Sequence, residues 1–517
     1  MKDQDKPFFS VRLFGMFSWD NNGPLFLDFK VSEKTGTSTY SCFEEVNKEK
    51  DISYLGMLHP QARRFLTSSD SDSVKHFTLP GPLGDELRRA VWMAPAPKWA
   101  AQGLKTVLIK EEDGLYFTFK ISGLEAILFP TGILSLHMNM IPGFKISQEN
   151  VATAGKTMIN VLNRSGLTQK ENKFKAVTIK RFFTDQRQKE SIERRLGENK
   201  SMGLVNGLRG EEVSMGDIMA GFLTGNCKSL MGDRFLSYSY LMSDWDGQGR
   251  AFTPGNYIDL VRLSRGESDY YKPYQDECKP GGNGIINTFE NVVFALSGEG
   301  AACWVKPTVE QEFLRFQFKE KYDTIYLNLY LLALHQRYAL VDMGERLDRA
   351  APSKVGEVGG TDTIEKMAGE LRNLRMEVTN FYLRAFFQQP AVLTNHQEFY
   401  RVLQGVLGVS NLLTEVQHAT SELEFLIGRL QRVEQNEQHN NLLAKIKDLI
   451  SEQERTTHNE LVLTLVVEFA AIPYYLYGFL HHLHVPTWIS AAAAILVTLG
   501  TMGYTFSRFL KKKKKMD

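Results

Sequence analysis

The sequence predicts a three-part chain: an α+β N-terminal domain on the cytoplasmic side, a long helical stalk, and a C-terminal two-helix transmembrane hairpin, assembled as an oligomer. Three observations carry this. The first three hundred residues alternate short β-rich runs with polar loops. The stretch from about Asp362 to Glu460 is almost free of Pro and Gly and carries apolar residues at alternating steps of four and three. The last sixty residues turn apolar and then abruptly basic. The corresponding boundaries are 1–310 for a ligand-sensing domain and 311–460 for the stalk, with a Gly-rich linker near 352–362. The hairpin follows at 461–510 and a basic tail at 511–517.

Overall charge is balanced, 61 Lys plus Arg against 60 Asp plus Glu, which gives no global attraction to a nucleic-acid duplex. Cys42, Cys227, Cys278 and Cys303 are scattered without a CxxC pair. That argues against a zinc ribbon or a disulfide framework and fits a reducing compartment. The N-terminus has no apolar run with a small-residue cleavage site, so no secretory signal is expected.

In the N-terminal domain "FFSVRLFGMF", "LKTVLIK", "LYFTFKI" and "AILFPTGILSLHMNM" are strand candidates, the last a pair joined by a Pro-Thr-Gly turn. "NVATAGKT" ends like a phosphate-binding loop, but Asn150 stands where its first Gly belongs. "KRFFTDQRQKESIERRLGENK" is a basic helical segment, read as a solvated face or as an anion or nucleotide contact. No nucleophile–His–acid set and no HExxH occurs, so an enzyme is the weaker reading, and no catalytic residue, metal site or cofactor is assigned.

In the stalk, "QEFLRFQFKEKYDTIYLNLYLLALHQRYALVDM" is apolar around much of its circumference. It is interrupted by Asn328, His335 and Arg337, which makes it a buried helix of a folded domain and not a span. Further on, Leu412, Val416, Ala419, Leu423, Leu426, Leu430 and Val433 form a helical seam. "EQNEQHNN" breaks the seam, and Leu442, Leu443, Ile446, Leu449 and Ile450 resume it.

Leu461–Leu480 and Trp488–Leu510 are each long enough to cross the roughly 30 Å hydrocarbon core, and Lys511–Lys515 places both termini on the cytoplasmic side of an inner, multi-pass membrane protein. Thr464, Glu468, Ala471, Tyr475, Gly478 and His482 share one helical stripe and are expected to line a pore. An ionised Glu468 at that depth requires water or a partner, which several copies around an aqueous axis would supply. His481, His482 and His484 in the connector read as a neutral vestibule more readily than as a metal site.

This order of parts resembles the CorA superfamily of magnesium transporters and channels. The resemblance implies a funnel-like assembly, pentameric in that family, conducting inorganic ions through a pore lined by the first span. The family's Tyr-Gly-Met-Asn motif is replaced here by Tyr477, Gly478, Phe479 and Leu480, so the motif's magnesium-receiving Asn is lost. The chain also resembles CorA-like effectors of prokaryotic antiviral defence, which implies gating by a small anionic ligand or nucleotide second messenger. Three readings stay open: a ligand-gated ion channel in the lipid bilayer, a divalent-cation transporter, and a non-conducting, membrane-anchored interaction protein with a coiled-coil platform.

Overall fold

The computed structural model describes residues 8–516 apart from 47–54, 68–72, 164–176, 244–250, 268–270, 352–360 and 454–470, and apart from positions 22, 34–35, 105–106, 148–149, 197–198, 200–201, 233, 472 and 484–485. The chain divides into two compact units, Met1–Val355 with Gly369–Leu423, and Gly356–Ala368 with Glu424–Asp517.

The first unit is built on a mixed sheet of fourteen strands. Among its strands are β1 (Phe8–Trp19), β2 (Lys75–Thr78), β3 (Val91–Pro95), β4 (Gly114–Leu128), β5 (Ile133–Pro142), β6 (Thr178–Phe182), β7 (Val213–Ser214), β8 (Leu236–Met242), β9 (Ile285–Phe289), β10 (Val292–Leu296) and β11 (Gly300–Val305). The order is β7-β6-β3-β4-β5-β1-β8-β11-β10-β9, with β2 alongside β4. Every pairing is antiparallel except β8 with β11. β4 and β5 turn on Phe129–Gly132, where Gly132 adopts φ +82°, a left-handed conformation that favours glycine.

Side chains alternate along each strand, so register sorts them onto two faces. Phe9, Val11 and Leu13 of β1, with Met138 and Met140 of β5 beside them, form one face. Against it lie α2 (Val151–Leu162) and α3 (Pro254–Arg265). The approach is close enough that a Cβ on Gly155 of α2 would stand 2.8 Å from the Phe9 ring. The other face carries Arg12, Phe14, His137, Tyr238 and Tyr240. It packs on a π-helical turn, Tyr322–Tyr326, that leads into α4 (Leu327–Ala350). Tyr322 stacks on Tyr238 at 4.3 Å between centroids, and Tyr330 meets Phe14 edge-on at 5.3 Å. The hydroxyl of Tyr238 donates to the Tyr322 carbonyl (2.7 Å) and that of Tyr322 to the Ser239 carbonyl (2.9 Å). Tyr238 and Tyr322 therefore keep their polar ends satisfied.

Three helices continue from this face: α5 (Thr361–Arg384), α6 (Thr394–Val406) and α7 (Val409–Gln453). Arg346 of α4 donates to Glu377 of α5 (2.9 Å), and Gln336 to the Ala385 carbonyl just beyond α5 (3.2 Å), so the two run antiparallel. Leu371, Leu374, Val378 and Phe381 form the buried stripe of α5. Gly408, at φ +66°, makes the corner between α6 and α7. The buried stripe of α7 is Val409, Leu413, Val416, Thr420, Leu423 and Ile427. It shares Val416 and Leu423 with the expected seam, while Leu412, Ala419 and Leu426 sit half-buried at its edge and Val433 is exposed. A helix facing a bundle buries a broader stripe than a two-strand seam. Leu430 falls where no side chain is described, as do Leu449 and Ile450.

The expected transmembrane hairpin is overturned, and with it the membrane-spanning, ion-channel and multi-pass inner-membrane assignments. Among the described residues no helix is long and apolar enough to cross a membrane. From the expected first span into the connector, residues 473–482 are helical. The C-terminal helix α8 (Thr487–Met516) mixes Ile, Leu and Val with alanines, Ser490, Thr498, Gly500 and Thr501 and ends in lysines. Residues 461–470 of the expected first span lie outside the described residues. The described architecture is the fourteen-stranded sheet with its helices.

Candidate functional site

A cleft of about 110 Å³ opens where the sheet meets the π-turn. Its sheet wall follows from register. Glu125 of β4 pairs with His137 of β5, and His76 of β2 with Ile127 of β4, so all four side chains stand on one face. The opposite wall is Asp323 and Thr324 of the π-turn with Leu327, Asn328 and Leu331 of α4. A π-turn inserts an extra residue into the helical ladder, and such turns are frequent at functional sites. The third wall is Leu55 with Leu66 and Thr67 of α1 (Pro60–Thr67). This short helix is tied to its neighbours: Phe65 contacts Phe129, His335 and Phe387, and Leu58 forms a β-bridge with Ala391.

The polar groups of the cleft are ordered by hydrogen bonds. The buried His137 ring donates through Nε2 to Oε2 of Glu125 (3.1 Å). His76 Nε2 donates to the Leu66 carbonyl (3.2 Å), linking β2 to α1. Thr67 donates to the Arg63 carbonyl (2.9 Å) and Thr324 to the Glu320 carbonyl (2.7 Å). Asp323 faces Arg12 at 3.7 Å and pairs with Lys319. Lys319 also lies over the Phe8 and Tyr240 rings, 5.2 and 5.5 Å from their centroids.

The His137–Glu125 pair is of the kind that moves protons. A nucleophile beside it is lacking among the lining residues, whose two hydroxyls give their hydrogens to backbone carbonyls. The cysteines lie elsewhere, and burial pushes the Cys42 thiol up to about 12 and the Cys227 thiol up to about 11, away from thiolate chemistry. Among the described residues no group of three or more His, Cys, Asp or Glu is placed to hold a metal ion.

The residues singled out in sequence fall elsewhere. Lys156 and Thr157 of "NVATAGKT" sit inside α2, where Lys156 pairs with Asp259 (2.8 Å) and Thr157 donates to the Thr153 carbonyl (2.7 Å). This string is a helix interior and not a phosphate loop. In the basic segment, Arg181 and Arg195 converge on the buried Glu86 (3.5 and 2.8 Å). Of the expected pore-lining set, Thr464 and Glu468 lie outside the described residues. Ala471 is half-buried, and Tyr475, Gly478 and His482 are exposed. Tyr475 reaches His439 Nε2 at 3.3 Å. In the replaced motif Tyr477 and Phe479 are exposed, Leu480 is half-buried, and the Tyr477 ring lies 6.1 Å from that of His481.

Sequence reading missed Glu125, His137, His76 and Asp323. The available signal was a carboxylate and an imidazole within two largely apolar strands, each six positions from Thr131 at the turn. No family model, curated protein or solved structure matches the chain.

Proposed function

We propose that the chain is a ligand-responsive assembly protein. Its sheet domain takes up a small ligand in the His137–Glu125 cleft, and the helices report occupancy to other copies of the chain. One observation carries the reading: the cleft is closed by the π-turn that begins α4, so a ligand there touches the first residues of the helix leading into the bundle. A π-turn and an α-turn differ by one residue of register, which gives α4 two discrete arrangements for a ligand to choose between. A volume of about 110 Å³ suits a ligand far smaller than a nucleotide. The helix α7 supports the assembly half, since Phe425, Val433, Leu442, Leu443 and Ile446 are exposed along it.

The test is to fill the cleft from within. Ile127→Phe places added ring volume among Leu55, Leu66 and Leu331 at a cost of about 1–3 kcal/mol. The expected result is altered amide hydrogen exchange through Tyr322–Ala350 and a shifted sedimentation profile, with far-UV circular dichroism unchanged. Exchange unchanged in those residues in a folded variant contradicts the coupling.

A further inference from the structure

We infer that α8 is a pairing helix: its exposed face docks antiparallel on the same face of a second copy of the chain. This goes beyond the ligand-responsive reading above, which places association on α7, and stands without it. Burial on α8 runs opposite to what water alone favours. Ser490 and Ala494 are buried, whereas Trp488 (73 % exposed), Leu496 (69 %), Ile495, Leu499 and Tyr504 face solvent. The exposed face is also periodic. Ile489, Ala492, Leu496, Leu499 and Gly503, all exposed, follow one another at steps of three and four, the spacing by which one helix seats in another.

Two glycines point the same way. Gly500 and Gly503 lie inside α8, where each costs about 1 kcal/mol against alanine. A Cβ at either would meet no atom within 4 Å, so packing among the described residues does not require their smallness. A second helix approaching this face does.

The face suits its own copy. From Thr487 to Ser507 α8 carries no charge, so it has nothing with which to select an acidic or a basic partner. Paired antiparallel about Leu496, the face is self-complementary: Ile489 stands opposite Gly503 and Ala492 opposite Gly500, the larger side chain against the glycine in each pair. The direction follows from the tail. Parallel pairing would bring two Lys511–Lys515 runs side by side, whereas antiparallel pairing holds them about 45 Å apart along the axis, well beyond the Debye length. At about 100 Å² from each large exposed side chain, with Ile489 and the small residues between them, the face offers roughly 600 Å² per chain. That is close to the roughly 800 Å² per partner of a specific complex, and more than a monomer ordinarily leaves bare.

The experiment is disulfide capture in the full chain. Leu496→Cys, at the two-fold centre, and Lys512→Cys, in the tail, are oxidised beside the wild type, whose own four cysteines are buried or half-buried. The expected result is a cross-linked dimer from Leu496→Cys alone. Adding Gly503→Leu is expected to slow that cross-linking at least tenfold while far-UV circular dichroism shows helical content unchanged or raised, because the new side chain meets open space within the chain. Comparable cross-linking at Lys512→Cys, or cross-linking indifferent to Gly503→Leu, overturns the antiparallel pairing. Loss of helical content in Gly503→Leu means that the face is covered within the chain and overturns it too. No dimer from Leu496→Cys also overturns it, and flotation of that chain with phosphatidylcholine vesicles would then assign the face to lipid. None of these outcomes touches the cleft, so the ligand-responsive reading stands or falls separately.

Discussion

His335 shows how a single buried side chain sets a pH dependence. It is fully buried on α4, stacked on Phe129 with centroids 4.2 Å apart, and shares a hydrogen bond with the Thr131 hydroxyl (2.9 Å). Burial pushes its pKa down to about 3, against an ordinary value near 6.5. As pH falls below about 6.5 the unfolded chain takes up the proton first, so stability present at neutral pH is lost toward about pH 3. The slope contributed is at most about 1.4 kcal/mol per pH unit. His335→Phe keeps the stack and removes the proton site, and urea unfolding at pH 7, 5 and 4 is expected to show a shallower loss than the wild type. A residual slope is expected from His396, held down to about 4 by burial and by the nearby Lys321. An identical pH profile in the variant would contradict the assignment.

At the scale of elements, the C-terminal end of α5 is held by a buried polar network. Gln336 donates to the Ala385 and Phe387 carbonyls (3.2 and 3.3 Å). Gln404 of α6 donates to Gln336 Oε1 and to the Phe387 carbonyl (2.8 and 3.0 Å), and the single hydroxyl hydrogen of Tyr400 lies within reach of the same two oxygens (2.9 and 3.0 Å). Gln336→Leu removes the centre and leaves buried carbonyl and amide groups short of partners, a loss expected to be about 2–3 kcal/mol by chemical denaturation. The helix α7 predicts a contrast along its length. Leu413→Ala, in the buried stripe, is expected to cost about 2–3 kcal/mol, whereas Leu442→Ala, on an exposed turn, is expected to stay within about 0.5 kcal/mol. Equal costs at the two positions would mean that the second half of α7 is covered within the monomer.

At the scale of the whole molecule, the exposed Leu442 and Leu443 are expected to matter for association and not for folding. The double substitution Leu442→Ser with Leu443→Ser is predicted to lower the weight-average mass in sedimentation equilibrium while leaving the melting temperature within about 2 °C. The strand set was legible where period-two alternation and turn chemistry were local: "FFSVRLFGMF" is β1, and "AILFPTGILSLHMNM" is the β4–β5 hairpin. Of "LKTVLIK", Ile109 and Lys110 belong to a strand, Ile109–Glu111, whereas Leu104, Val107 and Leu108 do not. The Glu125–His137 pair was within reach of sequence reasoning, because both residues flank one recognised turn at equal distance. Asp323 was not, because a π-turn breaks the 3.6-residue period by which a helix face is read. The C-terminal segments misled for a different reason. Apolar length in sequence pointed to two spans, whereas no described helix is long and apolar enough to cross a membrane, and the layout resembling CorA-type channels depended on those two spans.

The central claim is that a ligand in the His137–Glu125 cleft is felt by the helix that the π-turn begins. Hydrogen–deuterium exchange of the full chain, the wild type against Ile127→Phe, tests it most directly. The account predicts slowed exchange in Pro60–Thr67 and in Tyr322–Ala350, continuing into the packed first half of α7 at Val409–Leu423. A folded variant with exchange unchanged beyond the cleft walls would contradict it.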